Sequence, residues 1–144
     1  MKNIALVSII DDDQFFQYNT KLIFEDSGCI DHILQFEDGE EAINYFLENK
    51  NQADRTPDLV FLDLNMPYLD GWQFLDEFTS NTFEKKLITI YICSSSNSRL
   101  DRERFAHYTN LEGYLLKPIS KSEVLTVLNE ELIKLNSKEN RKVD

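Results

Sequence analysis

The sequence predicts a single α/β domain: a parallel five-stranded sheet with helices on both faces. Three observations carry that prediction. Continuously apolar runs alternate with stretches of helical period along the whole chain. The runs lack the in–out alternation of half-solvated strands, so each is expected to be covered on both faces. With 144 residues and 42% apolar content, the chain can fill one core without disulfide or metal staples. Right-handed crossovers between parallel strands then put all the strand C-termini on one edge, where such sheets keep their ligand sites.

Each element has its own signal. "NIALVSII" (3–10) is the first strand. "QFFQYNTKLIFEDSG" sets Phe15, Tyr18, Leu22 and Ile23 at helical spacing and stops at Gly28. "HILQF" (32–36) is a short second strand. Asp38 caps the second helix with Glu41 as its capping-box partner, and Ala42, Ile43, Phe46 and Leu47 form the inner face. The polar stretch 49–57 reads as a loop, and "DLVFLD" (58–63) as the third strand. Asp70 and Gly71 open a helix burying Phe74, Leu75 and Phe78. "LITIYIC" (87–93) is the fourth strand, "NSRLDRERFAHY" (97–108) a charge-dense helix, and "EGYLL" (112–116) the fifth strand. Ser120 and Glu123 form a second capping box, and the last helix is expected to bury Val124, Leu125, Leu128, Leu132 and Leu135. Residues 1–136 are expected to form the domain and the polar residues 137–144 a frayed, solvated tail.

Composition narrows the function. Fifteen basic against 26 acidic residues give a net charge of −11, which argues against a surface gripping nucleic acid or an anionic membrane. No apolar run approaches the ~20 residues of a membrane span, and the N-terminus has no basic-then-apolar leader. A soluble cytoplasmic protein is expected. Cys29 and Cys93 lie in apolar stretches without metal-ligand spacing and are expected to be free, buried thiols.

The polar residues just past the strand ends carry the chemistry. Strand one ends on Asp11, Asp12 and Asp13, strand three on Asp63, strand four on Ser94, Ser95 and Ser96, and strand five on Lys117 and Pro118. Singly, these are helix caps and turn residues. Jointly, four strands deliver carboxylates, a hydroxyl and an amine to one rim. Neighbouring carboxylates in a partly desolvated site must protonate or take a cation between them. Oxygen ligands without His or Cys suit Mg²⁺ or Mn²⁺, and His32 and His107 lie elsewhere. A carboxylate beside such a cation can attack a phosphoryl group while an amine and a hydroxyl take up the transferring oxygens. That points to phosphoryl capture on Asp63.

The acidic pair, "FLDLNMPYLDG" around Asp63, the hydroxyl after strand four and "GYLLKP" together resemble a response-regulator receiver domain of two-component signalling, over about residues 3 to 135. The resemblance implies a flavodoxin-like doubly wound sheet of order 2-1-3-4-5. It makes Asp63 the phosphorylated residue, with Asp11, Asp12, Asp63 and the Asn65 backbone carbonyl as Mg²⁺ ligands. Lys117 would pair with the phosphoryl oxygens, Ser94 would be the switch hydroxyl and Tyr114 the aromatic rotamer switch. Asn65 and Ser96 would tune the phosphate's lifetime, and Lys117–Pro118 would be a cis peptide.

Two registers stay open: Asp11–Asp12, which the strand pattern favours, against Asp12–Asp13, and Ser94, which directly follows the apolar run, against Ser95. The segment around "HYTNLEG" is about one residue longer than the family's usual, so an irregular end to the fourth helix is expected.

The implied partners are a sensor histidine kinase or histidine phosphotransfer protein and a downstream protein target reached through helix 4, strand 5 and helix 5. Direct nucleic-acid or membrane contact is not expected, and the resemblance leaves room for a homodimer. The protein would be no enzyme beyond its own phosphoryl capture and slow autodephosphorylation. Tyr68 and Trp72 near the site are candidates for a contact surface, with a structural role equally open for Trp72. A haloacid-dehalogenase-type phosphohydrolase would need a second acid where Asn65 stands. A flavin-binding protein would need a phosphate-cradling loop where "DDDQ" repels phosphate. A degenerate receiver that binds partners without phosphorylation would have no use for the complete set of polar residues.

Overall fold

Runs of β-branched and aromatic residues between capped helices give the expected alternation. The computed structural model describes residues 2–80 and 87–143, with side chains up to residue 137. Its elements are β1 (Ile4–Ile10), α1 (Gln14–Ser27), β2 (Ile30–Phe36), α2 (Gly39–Glu48), β3 (Leu59–Leu62), α3 (Gly71–Thr79), β4 (Thr89–Ser94), α4 (Arg99–Ala106), β5 (Leu111–Leu116) and α5 (Lys121–Val143). The strands pair in parallel in the order β2-β1-β3-β4-β5, the flavodoxin-like arrangement expected. Among the described residues no helix is long and apolar enough to cross a membrane.

The sheet has a core on each face. One gathers Ile10, Val60, Leu62, Ile90 and Ile92 with α2 and α3 through Phe46, Phe74 and Leu75. The other gathers Val7, Ile9, Leu59 and Phe61 with α1 and α5 through Phe24, Val124 and Leu128. β3 is buried at every position, whereas β2, at the edge, is buried only at Phe36. That exposure explains why β2 begins at Ile30 and takes in Asp31, two residues before the start that the hydrophobic pattern gives.

Three helical expectations are corrected. On α1, Phe15, Tyr18 and Leu22 are 83%, 63% and 42% exposed, and the buried residues are Gln17, Thr20 and Phe24. The helix turns a polar residue inward because the Gln17 amide lies within hydrogen-bond distance of the carbonyls of Ile9, Asp11 and Phe36 (2.9–3.1 Å). Phe24 packs edge-on against Phe61 at 5.4 Å. On α5, Val127 takes the buried place given to Leu125, which is exposed, while Leu132 and Leu135 pack partly buried. The helix also runs through the expected tail to Val143; solvation of side chains beyond Ser137 lies outside the described residues.

Smaller differences have local causes. Asp38 accepts from the Glu41 N–H without the reciprocal bond, whereas both arms of the expected Ser120–Glu123 box are present and a further capping box forms on α3, between Asp70 and Gln73. Leu87 is exposed and precedes β4, and Cys29 is only partly buried. Near "HYTNLEG" the irregularity lies within β5, where pairing with β4 shifts between Ile90↔Leu111 and Tyr91↔Gly113. A bulge of this kind absorbs one residue without disturbing the strand's C-terminal end.

Candidate functional site

The C-terminal edge of the sheet is laced by backbone hydrogen bonds that fix where its polar residues start. Asp63 N–H donates to Ile10, Asp11 N–H to Phe36 and Lys117 N–H to Ser94, each at 2.9–3.0 Å. Asp11, the first residue past β1, is fully buried; Asp12 is exposed and Asp63 buried. Asp13 is spent as the α1 N-cap, accepting from Phe15 and Phe16 N–H. The pair at the site is therefore Asp11 and Asp12. One oxygen from each of Asp11, Asp12 and Asp63 lies within 4.8 Å of the others.

Lys117 supplies the opposing charge. Its ammonium sits 2.7 Å from Asp11 Oδ2 and 3.7 Å from Asp63 Oδ1, and 4.5 Å from the centroid of Phe16. The other Asp11 oxygen accepts from Asp13 N–H. The Lys117–Pro118 peptide is cis. Burial alone would lower the Lys117 pKa, but its hydrogen bond to Asp11 and the surrounding carboxylates outweigh this and raise it. Burial also raises Asp11, against Lys117. Asp63 is pushed up to about 7, first by burial and then by the charge of Asp11, with Lys117 and the Asn65 N–H pulling the other way. Three carboxylates thus face one ammonium. Such a set, all oxygen and under-neutralised, suits a hard divalent cation.

The other half of the edge is hydroxylic. Ser94 ends β4 fully buried, whereas Ser95 is exposed and lines a groove of about 450 Å³ with Asp13, Phe15, Phe16 and Lys117. Burial thus favours Ser94 over Ser95 as the inward hydroxyl. Ser96 N–H donates to Ser94 Oγ (3.0 Å), and the Tyr114 hydroxyl donates to the Ser96 carbonyl (2.7 Å). Burial keeps the Tyr114 phenol above its ordinary range, against hydrogen bonds to Ser94 and Ser96.

The β3–α3 turn explains the residues after Asp63. Asp70 caps α3, and Gly71 N–H donates to the Leu64 carbonyl at 2.9 Å. A Cβ on Gly71 would lie 2.4 Å from the Asp63 carbonyl oxygen, so only glycine lets α3 press on the backbone that carries the acid. Tyr68 stands fully out at 93% exposure with φ +69°. Trp72 is buried, stacked on Tyr108 at 5.4 Å, so of the two only Tyr68 is free to touch a partner. His32 and His107 lie outside the cluster.

Asp11, Asp12, Asp63, Ser94 and Lys117 are thus brought to one edge, with Asn65 beside them. Two contributors escaped the sequence reading. Gln17 ties the ends of β1 and β2 together, and Phe16 offers its ring face to Lys117; both look like ordinary surface and core residues of an amphipathic helix.

Comparison with known proteins places this edge. Residues 7–129 match the response regulator receiver domain model. Protein PilG of Pseudomonas aeruginosa is 29% identical over 83% of this chain and 81% of its own length. Chemotaxis protein CheY of Bacillus subtilis is 25% identical over 88% and 96%. A two component response regulator from Cytophaga hutchinsonii superposes with a TM-score of 0.78 at 26% identity, covering 91% of this chain and 98% of that one. The chain belongs to the response regulator receiver domain family.

Proposed function

We propose that the protein is a cytoplasmic phospho-accepting receiver in which Asp63 takes a phosphoryl group from a phosphohistidine on a sensor histidine kinase or phosphotransfer partner. The observation that supports this most directly is the convergence of Asp11, Asp12 and Asp63 around the Lys117 ammonium. Asp11, Asp12 and Asp63, with the backbone carbonyl of Asn65, would hold Mg²⁺, or Mn²⁺ in its place. When bound, the ion would neutralise the carboxylates and the phosphoryl oxygens.

The chain's own residues supply the rest. The Asp63 carboxylate attacks phosphorus in line. The P–N bond of the donor breaks, the imidazole leaves with the electron pair, and an acyl phosphate forms on Asp63. Lys117 lies within reach of both Asp11 and Asp63, so it can shift from the first toward a phosphoryl oxygen on the second. Ser94 keeps its own hydroxyl proton while accepting from Ser96 N–H, and can turn that proton to another oxygen. Its movement would repack Tyr114, which is half-buried with its hydroxyl on the Ser96 carbonyl, changing the face of α4, β5 and α5 that a downstream protein reads. Asn65 and Ser96 would set the lifetime of the acyl phosphate. The protein turns over no other substrate.

Incubation with acetyl phosphate and Mg²⁺, followed by intact mass, tests this. The expected result is one phosphoryl group per chain in the wild type and none in Asp63→Asn. Fast multiple turnover of phosphomonoesters would favour a hydrolase, and absence of any adduct would leave a phosphorylation-independent interaction module.

A further inference from the structure

The mechanism leaves unused a carboxylate on α4 that two other elements converge on. Asp101 is half-buried in the first turn of α4. Its Oδ2 accepts from the Ser96 hydroxyl at 2.6 Å and its Oδ1 from the Trp72 indole N–H at 3.1 Å. Ser96 is the joint of the β4–α4 loop: its N–H holds Ser94 Oγ, its carbonyl holds the Tyr114 hydroxyl, and its side-chain oxygen accepts from Ser98 N–H. One carboxylate therefore connects α3, through Trp72, with both residues of the proposed switch. The O–H···O⁻ contact is of the short, charge-assisted type, stronger than a neutral hydrogen bond. Consistent with this, the Ser96 hydroxyl and, against partial desolvation, the Trp72 and Ser98 groups hold the Asp101 carboxyl below its ordinary range.

We propose that Asp101 is a positioning residue for the switch: by holding the Ser96 hydroxyl and the Trp72 indole together, it fixes the Ser96 N–H and carbonyl to which Ser94 and Tyr114 bond. The inference rests on the receiver reading above. Inward movement of Ser94 breaks its bond from Ser96 N–H, and the loop can follow only by straining or releasing the Asp101 contacts. Asp101 thus stabilises this arrangement of the loop, and a movement of Ser94 toward a phosphoryl oxygen works against it.

The test uses beryllofluoride with Mg²⁺ as a phosphoryl analogue. It is followed by the emission of Trp72, the only tryptophan in the chain, and checked by mass after acetyl phosphate. Asp101→Asn keeps an acceptor for the indole but loses the charged acceptor for Ser96, and Ser96→Ala removes the same bond from the other side. Wild type is expected to change its Trp72 emission on loading. Asp101→Asn is expected to bind beryllofluoride roughly fivefold more tightly, a pairwise coupling of ordinary size. The double variant should gain no more than Asp101→Asn alone, because both substitutions delete one contact. Wild-type affinity in Asp101→Asn, multiplying effects in the double variant, or a Trp72 emission indifferent to loading would each overturn the inference while leaving the receiver reading intact. A wild type that binds no beryllofluoride and takes no phosphoryl group would overturn both.

Discussion

The two halves of the sheet's C-terminal edge are built differently. On the β1–β3 side, the acids hang from strands buried on both faces, with α3 pressed against the Asp63 backbone through Gly71. On the β4–β5 side, the hydroxyls lead into α4, an eight-residue helix with no buried residue. α4 is held by polar and ring contacts instead: Asp101 to Trp72 and Ser96, Arg104 over Trp72 at 5.2 Å, and Phe105 edge-on to Tyr114 at 5.6 Å. Buried apolar area resists displacement in proportion to the surface that would be exposed, whereas exchangeable polar contacts can be remade elsewhere. The acids thus sit on the half held by buried apolar contacts, and the helix of the proposed signal on the half held by polar and ring contacts.

The sharpest way to break that contrast is to remove the cation that the end of β5 holds against the acids of the rigid half. Lys117→Met leaves Asp11 buried at the end of β1 with its ammonium partner gone. Deleting one member of a buried pair costs about 3–5 kcal/mol, because the remaining charge is uncompensated. Urea unfolding should show a loss of that order without metal, and Mg²⁺ should recover part of it. A loss below about 1 kcal/mol would mean that the rigid half tolerates an unpaired carboxylate and does not require the cation we assign to it.

A smaller effect comes from protons. Asp63 titrates near 7 in the fold against an ordinary 3.8, so between those values the folded chain binds a proton that the unfolded chain has lost. Stability without metal should therefore fall as pH rises from about 4 to 7, on the order of 2 kcal/mol, and level off on either side. The same protons compete with a cation. Saturating Mg²⁺ should raise the melting temperature clearly at pH 8, where a ligand at a hundredfold its Kd contributes about 2.7 kcal/mol, and little at pH 5.5. Equal shifts at both pH values would place the metal away from Asp63.

Much of the site is legible in the sequence, because its residues obey simple rules. Asp63 and Lys117 stand immediately past apolar strands, and Gly71 follows its own cap. What stays illegible depends on partners distant along the chain. Gln17 faces inward on α1 only because three carbonyls at the ends of β1 and β2 await its amide, and no helical period can announce that. Phe15, Tyr18 and Leu22 lie outside for the same reason. On the other half, Asp101 looks like one more charge on a charge-dense helix until Trp72, 29 positions earlier, donates to it. The irregularity expected at the end of α4 stands instead as a bulge in β5, where strand pairing shifts register.

The contrast itself can be measured by native-state hydrogen exchange. α3 buries Trp72, Phe74, Leu75 and Phe78, whereas α4 has no buried residue and sets only Phe105, partly buried, against the core, and local opening is easiest where few apolar contacts must be broken. Without ligand, amides in the last turn of α4 should be at least about tenfold less protected than the interior amides of α3, a difference of about 1.4 kcal/mol. The first turn of α4 is held by Ser98, which accepts from Asp101 N–H at 3.1 Å, and it should exchange more slowly than the last. Asp101→Asn should narrow that internal gradient without altering α3. If α4 proves as protected as α3, the two halves form one cooperative unit. The switch would then have to work by shifting a packed element, not by releasing a loosely held one.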